Sequence, residues 1–157
     1  MTKVYTIGHS NLRVPSFVAL LKKHDVEVVV DVRSAPYSAW ATQFNKSEIQ
    51  NALTSAGFQY IFAGDKLGGK PADESLYTPS GVPDYERLAQ NEVFTEGLDW
   101  LVDTAQKSRV AIMCSEADAF TCHRERLIGR SLRGRGVDVL HITSDGEIAV
   151  QEQGSLF

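Results

Sequence analysis

The sequence predicts an α/β fold: one domain whose largely parallel sheet is flanked by helices in a Rossmann-like, three-layer arrangement. Three observations carry this. Strand-like and helix-like segments alternate along almost the whole chain, the pattern that builds parallel sheets through helical crossovers. Residues 26–32 (VEVVVDV) are mostly β-branched, as in a strand covered on both faces. The 157 residues, 43% apolar and 23% charged, suit a single domain with an ordinary core. No repeat, low-complexity tract or linker divides the chain. Residues 1–150 are therefore read as one domain and 151–157 as a flexible tail.

The elements follow in order. Residues 3–8 read as a strand and 15–24 as a helix, with Pro15 in its first turn and Phe17, Leu20 and Leu21 at helical spacing. After the strand at 26–32, Asn45 with Glu48 three residues later predicts a capped helix start, and Gly57 its end. Residues 58–62 form a third strand, and 63–84, rich in Gly, Pro, Ser and Asp, a long surface excursion of the kind that often carries function. A short helix over 84–90 and a longer one over 91–107 follow, the latter turning Phe94, Leu98, Leu101 and Val102 inward. Residues 109–114 are a strand, 122–135 a helix, 137–143 a strand, and Asp145-Gly146 a turn into a last strand at 147–150.

Composition narrows the function classes. No apolar run approaches the roughly 18–20 residues of a membrane span, and the N-terminus lacks a signal-peptide pattern, so a cytoplasmic protein is expected. A net charge of −4 gives no general attraction to nucleic acid. Two cysteines, Cys114 and Cys122, are expected to be reduced thiols, metal ligands or a redox pair in that compartment.

In open α/β sheets ligands bind beyond the carboxyl ends of the strands. The residues just past those ends are His9 and Ser10, Asp31 and Arg33, and Cys114 and Glu116. The densest chemistry is Cys114-Ser115-Glu116 followed by Cys122-His123-Arg124. Cys122 at a helix start, capped by Thr121, would gain thiolate character from the helix terminus and the neighbouring cations. Glu116 and His123 are candidate acid–base groups. Arg33 offers a planar fork for phosphate or carboxylate, oriented by Asp31, and Arg124 adds a second. The competing readings are a core role for Cys114, a strand-end ion pair for Asp31–Arg33, and a divalent metal on Cys114, Cys122 and His123, with His9 as a further ligand. The metal is not favoured, because the spacing matches no zinc ribbon or finger.

His9 follows Gly8, which lets backbone approach a ligand closely. His141 is expected to be structural and His24 a helix cap. Leu67-Gly68-Gly69-Lys70 lacks phosphate-loop spacing and reads as a turn. Tyr37, Trp40 and Phe44 are expected to form one buried helical face, with a base-stacking surface as the alternative. Arg126, Arg130 and Arg133 share a helical face opposite Leu127, Ile128 and Leu132. That face is expected to be solvated, with phosphate tracking as the alternative. The chain ends Gln153-Gly154-Ser155-Leu156-Phe157. This resembles the short Gln-x-x-Leu-Phe peptides by which bacterial replication and repair proteins bind the DNA sliding clamp, with Gln153 polar and Leu156 and Phe157 as apolar anchors.

Thr6-Ile7-Gly8-His9-Ser10, Asp31-Val32-Arg33 with Pro36, Leu67-Gly68-Gly69, and Met113-Cys114-Ser115-Glu116 leading to Cys122-His123-Arg124 together resemble the Domain of Unknown Function 488 family. The resemblance runs from Val4 to His141. It implies a compact α/β fold and one shared polar cluster of His9, Asp31, Arg33, Cys114, Glu116, Cys122, His123 and Arg124, and it transfers no reaction. The leading expectation is an enzyme acting on nucleotides or nucleic acid. Its catalytic residues would be Cys114, Glu116, Cys122 and His123, its anion site His9, Ser10, Asp31, Arg33 and Arg124, and its tail would deliver it to DNA. The alternatives are a non-catalytic ligand-binding or adaptor module and, third, a thiol redox or sulfur-transfer enzyme. Asp31-Val32-Arg33 is reminiscent of sulfurtransferases, but their arginine six residues after the cysteine is here Phe120.

Overall fold

The computed structural model describes residues 2–149. Its six strands are β1 (Lys3–Gly8), β2 (Val28–Asp31), β3 (Gln59–Phe62), β4 (Val110–Cys114), β5 (Asp138–Ile142) and β6 (Ile148–Ala149). They lie in the order β3-β2-β4-β1-β5-β6. The first five are parallel, and β6 runs antiparallel to β5. The helices are α1 (Val14–Lys23), α2 (Lys46–Ser55), α3 (Gly64–Leu67), α4 (Tyr85–Gln90), α5 (Glu92–Lys107) and α6 (Arg130–Gly134), the last fed by a π-helical turn over Arg124–Gly129. Among the described residues no helix is long and apolar enough to cross a membrane.

The period-2 alternation of the strands divides the core. Val28 and Val30 join Val110, Ile112 and Val139 on one face, beneath Leu98 and Leu101 of α5 and Leu127 and Leu132 of the last helical segment. Val29, Ala111, Met113 and Ile142 face the other way, against Phe17 and Leu21 of α1 and Ile49 and Leu53 of α2. Burying each such side chain contributes about 1.5–3 kcal/mol. A one-residue slip would turn every one of them to the wrong face, so the register is firmly set. The three-layer expectation holds.

The chain leaves β1 and β2 toward the α1/α2 face and leaves β4 toward the opposite face. β4 stands between β1 and β2. Its carboxyl end is therefore the point where neighbouring connections diverge, where an open sheet leaves a crevice.

Four local expectations change. Asn45 stands at the helix start, yet its side chain does not cap α2. Its Oδ1 accepts from the Ser38 amide at 2.7 Å instead, tying down the preceding loop. The excursion at 63–84 contains α3 and a single 3₁₀ turn. Tyr37 and Trp40 do not share a buried face with Phe44: they are 67% and 71% exposed on a non-helical loop, because Ser34-Ala35-Pro36 disfavours helix there. The arginine face is divided by the π-turn. Arg126 and Arg130 are exposed, while Arg133 turns back onto Glu125. Val150, the tail and the expected clamp-binding residues Gln153, Leu156 and Phe157 lie outside the described residues.

Candidate functional site

Cys114 closes β4, and Cys122 stands just ahead of the π-turn, its carbonyl accepting the amides of Glu125 (3.1 Å) and Arg126 (3.0 Å). Thr121 does not cap the turn, whose N-cap position falls to His123. Thr121 donates its hydroxyl to the Asp118 carbonyl. The two Sγ atoms are 2.8 Å apart, and both cysteines are free thiols. They lie at the floor of a cleft of about 260 Å³, lined also by Arg33, Lys70, Glu116 and His123. The cleft opens in the crevice between the ends of β2 and β4.

Arg124 determines the electrostatics of the floor. It is fully buried (0% exposed). Its Nε donates to Cys114 Sγ at 3.0 Å, Nη1 to Thr6 Oγ1 at 2.5 Å, and Nη2 to the carbonyls of Glu116 and Ala117, both at 3.0 Å. Among the described residues no carboxylate pairs with it. Removing a charge from water costs several kcal/mol unless an opposite charge answers it. The group in contact able to become an anion is the Cys114 thiol. Burial alone would push that thiol up, but the hydrogen bond from Cys122 and the charge of Arg124 hold it below its ordinary value. Cys122 is driven far the other way, first by the Cys114 sulfur and then by burial. The pair is therefore asymmetric: the Cys114 thiol is eased toward its thiolate, and the Cys122 thiol is held in its protonated, donating form.

His123 stands over Cys122. Its Nε2 lies 3.0 Å from the Val32 carbonyl, which can only accept, so Nε2 carries the hydrogen and Nδ1 offers a lone pair 3.7 Å from Cys122 Sγ. Gly69 makes this arrangement possible: a Cβ there would lie 2.8 Å from the imidazole. The Glu116 side chain is exposed, and its carboxylate lies within 4.8 Å of both sulfurs.

The expected anion-binding residues separate into several environments. Asp31 (0% exposed) accepts from the Arg33 Nε (2.9 Å), Nη2 (2.8 Å) and amide (3.1 Å) and from Tyr60 OH (2.5 Å). Arg33 lines the cleft. His9 lies behind it, buried and stacked on Phe44 with centroids 4.4 Å apart. Its Nδ1 donates to the Ser10 carbonyl at 2.7 Å, so Nε2 accepts from Arg33 Nη1 at 3.2 Å. Burial, partly offset by that carbonyl and reinforced by Arg33, lowers its pKa, so His9 is a neutral support. Ser10, with φ of 46°, lines a separate hollow of about 270 Å³ between β1 and β5. Arg124 lies beneath the cleft floor. Gly8 serves protein rather than ligand: a Cβ there would stand 1.7 Å from the Glu116 carbonyl oxygen.

Sequence reasoning gave no individual site role to Thr6, Tyr60, Lys70 or Glu125, and read His141 as structural, in keeping with its burial between Thr6 and Glu125. Two signals were present: a threonine between Tyr5 and Ile7 in a strand, and a histidine between Leu140 and Ile142 in another. Each needs a buried partner.

An open, mainly parallel α/β domain with a buried pair of thiols at the switch point of its sheet is the class that fold and geometry define. The family model Domain of unknown function DUF488 matches residues 13–130, and the chain belongs to this family. The match includes Arg33, both thiols and Arg124, whereas Thr6-Ile7-Gly8-His9-Ser10 and His141 fall outside it. No curated protein and no solved structure matches the chain.

Proposed function

We propose that this protein is a thiol-dependent enzyme working by thiol–disulfide exchange at the Cys114–Cys122 pair. The observation that carries the reading is the fully buried Arg124, whose guanidinium has a sulfur, a hydroxyl and carbonyls around it and, among the described residues, no carboxylate. The Cys114 thiolate attacks one sulfur of a substrate disulfide, forming a mixed disulfide and releasing the other sulfur as thiolate, which takes a proton from water. Cys122 then gives its proton to His123 Nδ1 and attacks Cys114 Sγ. The Cys114–Cys122 disulfide forms, and the remaining substrate sulfur leaves as a thiolate. The substrate is reduced by two electrons and the protein oxidised by two. Glu116, whose carboxylate lies within 4.8 Å of both sulfurs, serves as the acid–base group for the departing sulfur.

A metal on the thiols is less well supported. Two thiolates on one zinc-like ion at about 2.3 Å each would sit roughly 3.8 Å apart, wider than the 2.8 Å here, and the ion's charge would fall beside Arg124.

The test uses a chromogenic aromatic disulfide. Wild-type protein should release two equivalents of aromatic thiolate and end with its mass lowered by two hydrogens. Cys122→Ser should release one and retain a mixed disulfide on Cys114. Retention of two aromatic groups on the wild-type chain would overturn the reading.

A nucleotide- or nucleic-acid-directed enzyme remains the second reading, favoured by the cationic lining of the same cleft, Arg33 and Lys70. Saturable binding of pyrophosphate or single-stranded DNA that Lys70→Ala weakens would support it. Capture of the sliding clamp only when residues 153–157 are present would support delivery by the tail.

A further inference from the structure

Beneath the thiols runs a buried polar chain that the exchange reaction does not use. Arg124 Nη1 donates to Thr6 Oγ1 at 2.5 Å. Thr6 Oγ1 lies 2.6 Å from His141 Nδ1, and His141 Nε2 lies 2.8 Å from Glu125 Oε1. Both Glu125 oxygens accept from Arg133 Nη1, at 2.6 and 2.8 Å. Phe120 closes one side of the imidazole edge-on, with centroids 5.4 Å apart. Thr6, His141, Arg124 and Glu125 are all buried.

Hydroxyl, imidazole and carboxylate in line resemble a hydrolase triad. Thr6 is fully buried, however, and its oxygen already accepts from Arg124, so it meets no substrate. The donor directions give the chain another meaning. Arg124 can only donate, and His141 Nδ1 is the one acceptor that Thr6 Oγ1 meets among the described residues, so Thr6 turns its own hydrogen there. His141 Nδ1 must then be bare, and Nε2 carries the hydrogen given to Glu125. Each link fixes the next, and the last fixed group is the guanidinium whose Nε touches Cys114 Sγ. The π-turn makes this possible, because its wider coil buries the consecutive residues Arg124 and Glu125 together.

We infer that Thr6, His141 and Glu125 are positioning residues for the reactive thiolate: they lock His141 as the Nε2–H tautomer and hold Arg124 against Cys114. The inference rests on the thiol reading above and adds to it residues that never meet substrate. Around Cys114 the other charged or titratable groups are Cys122, Glu116 and Arg124, and of these the relay touches only Arg124.

The experiment measures the rate at which iodoacetamide alkylates Cys114 at neutral pH, read by peptide mass mapping, together with the histidine ¹⁵N signals of the whole protein. Thr6→Val keeps the shape but removes the hydroxyl, and is expected to slow Cys114 by up to about tenfold, the loss of thiolate that one unit of upward pKa shift brings when the pH lies below the pKa. Thr6→Ser should restore the wild-type rate, a rescue that a purely space-filling role would not give. In the wild-type protein His141 should show a bare Nδ1 and a protonated Nε2, which holds the proposal to account even if Thr6→Val fails to fold. An Nδ1–H tautomer overturns it, as does a folded Thr6→Val protein alkylated at the wild-type rate while wild-type Cys114 outpaces a free thiol. Wild-type Cys114 reacting no faster than a free thiol overturns both this inference and the thiol reading.

Discussion

Two buried arginines stand at the ends of neighbouring strands and are answered in opposite ways. Arg33, after β2, is met by Asp31 through its Nε, Nη2 and backbone amide, with Tyr60 donating to the same carboxylate. Its charge is balanced whatever the cleft contains. Arg124, after β4, is more deeply buried, and among the described residues its guanidinium meets no carboxylate and one ionisable side chain, Cys114. A carboxylate is an anion at any ordinary pH, whereas a thiol becomes one only if its surroundings reward it. The corner at β2 is thus a scaffold, whereas the floor at β4 leaves its cation facing a thiol, the group to which the proposed reaction assigns reactivity. Neighbouring positions in one sheet differ in purpose because of the anion each arginine was given.

The largest effect should come from breaking the scaffold. Asp31→Asn leaves Arg33 buried beside a neutral amide and should lower unfolding free energy by about 3–5 kcal/mol in denaturant titration. The alkylation rate of Cys114 should stay close to wild type, because the two arginines do not share a counter-ion. A parallel loss of thiol reactivity would merge the two regions into one.

The next effect depends on pH. The Cys114 thiol sits below its unfolded value in the folded protein, so between the two values the unfolded chain binds the extra proton and stability rises with pH. The stability advantage of wild type over Cys114→Ser should grow as pH climbs toward about 8.5, the ordinary thiol value, and shrink as pH falls through the folded value. Cys122 is shifted upward, so its contribution is full below about 8.5 and is lost above it. A stability difference flat across this range would remove the thiolate from the comparison.

Gly69→Ala brings a methyl group within 2.8 Å of the His123 ring and should cost about 1–3 kcal/mol as an overpacked contact. It should slow the second, Cys122-dependent release of aromatic thiolate while leaving the first unchanged. The smallest effect is expected from Trp40→Ala on the exposed loop, within about 0.5 kcal/mol in thermal unfolding. A larger loss would mean that this ring is covered by something in solution.

Much of the fold was legible because strand burial imposes its own pattern. Val28, Val29 and Val30 had to be covered on both faces, and helices had to cover them. The strand ends followed, and with them His9, Asp31, Arg33, Cys114 and Glu116. What proximity in sequence could not reveal was partnership. Thr6, Glu125 and His141 lie on three separate elements and meet only because β1 is placed between β4 and β5. Helical periodicity also misled at Arg133, since one wide turn after Cys122 shifts every later residue around the axis. Asn45 had the right residue type for a cap, but its side chain found a competing donor in Ser38.

The ion pair between Arg124 and Cys114 is tested most directly by the ultraviolet absorbance of thiolate as a function of pH, in wild type, Cys114→Ser and Arg124→Met. Wild type should show one thiolate forming below the ordinary thiol range of about 8.5, absent from Cys114→Ser and displaced upward in a folded Arg124→Met protein. A first thiolate appearing in wild type only at or above that range, or a low-pH thiolate indifferent to the loss of Arg124, would contradict it.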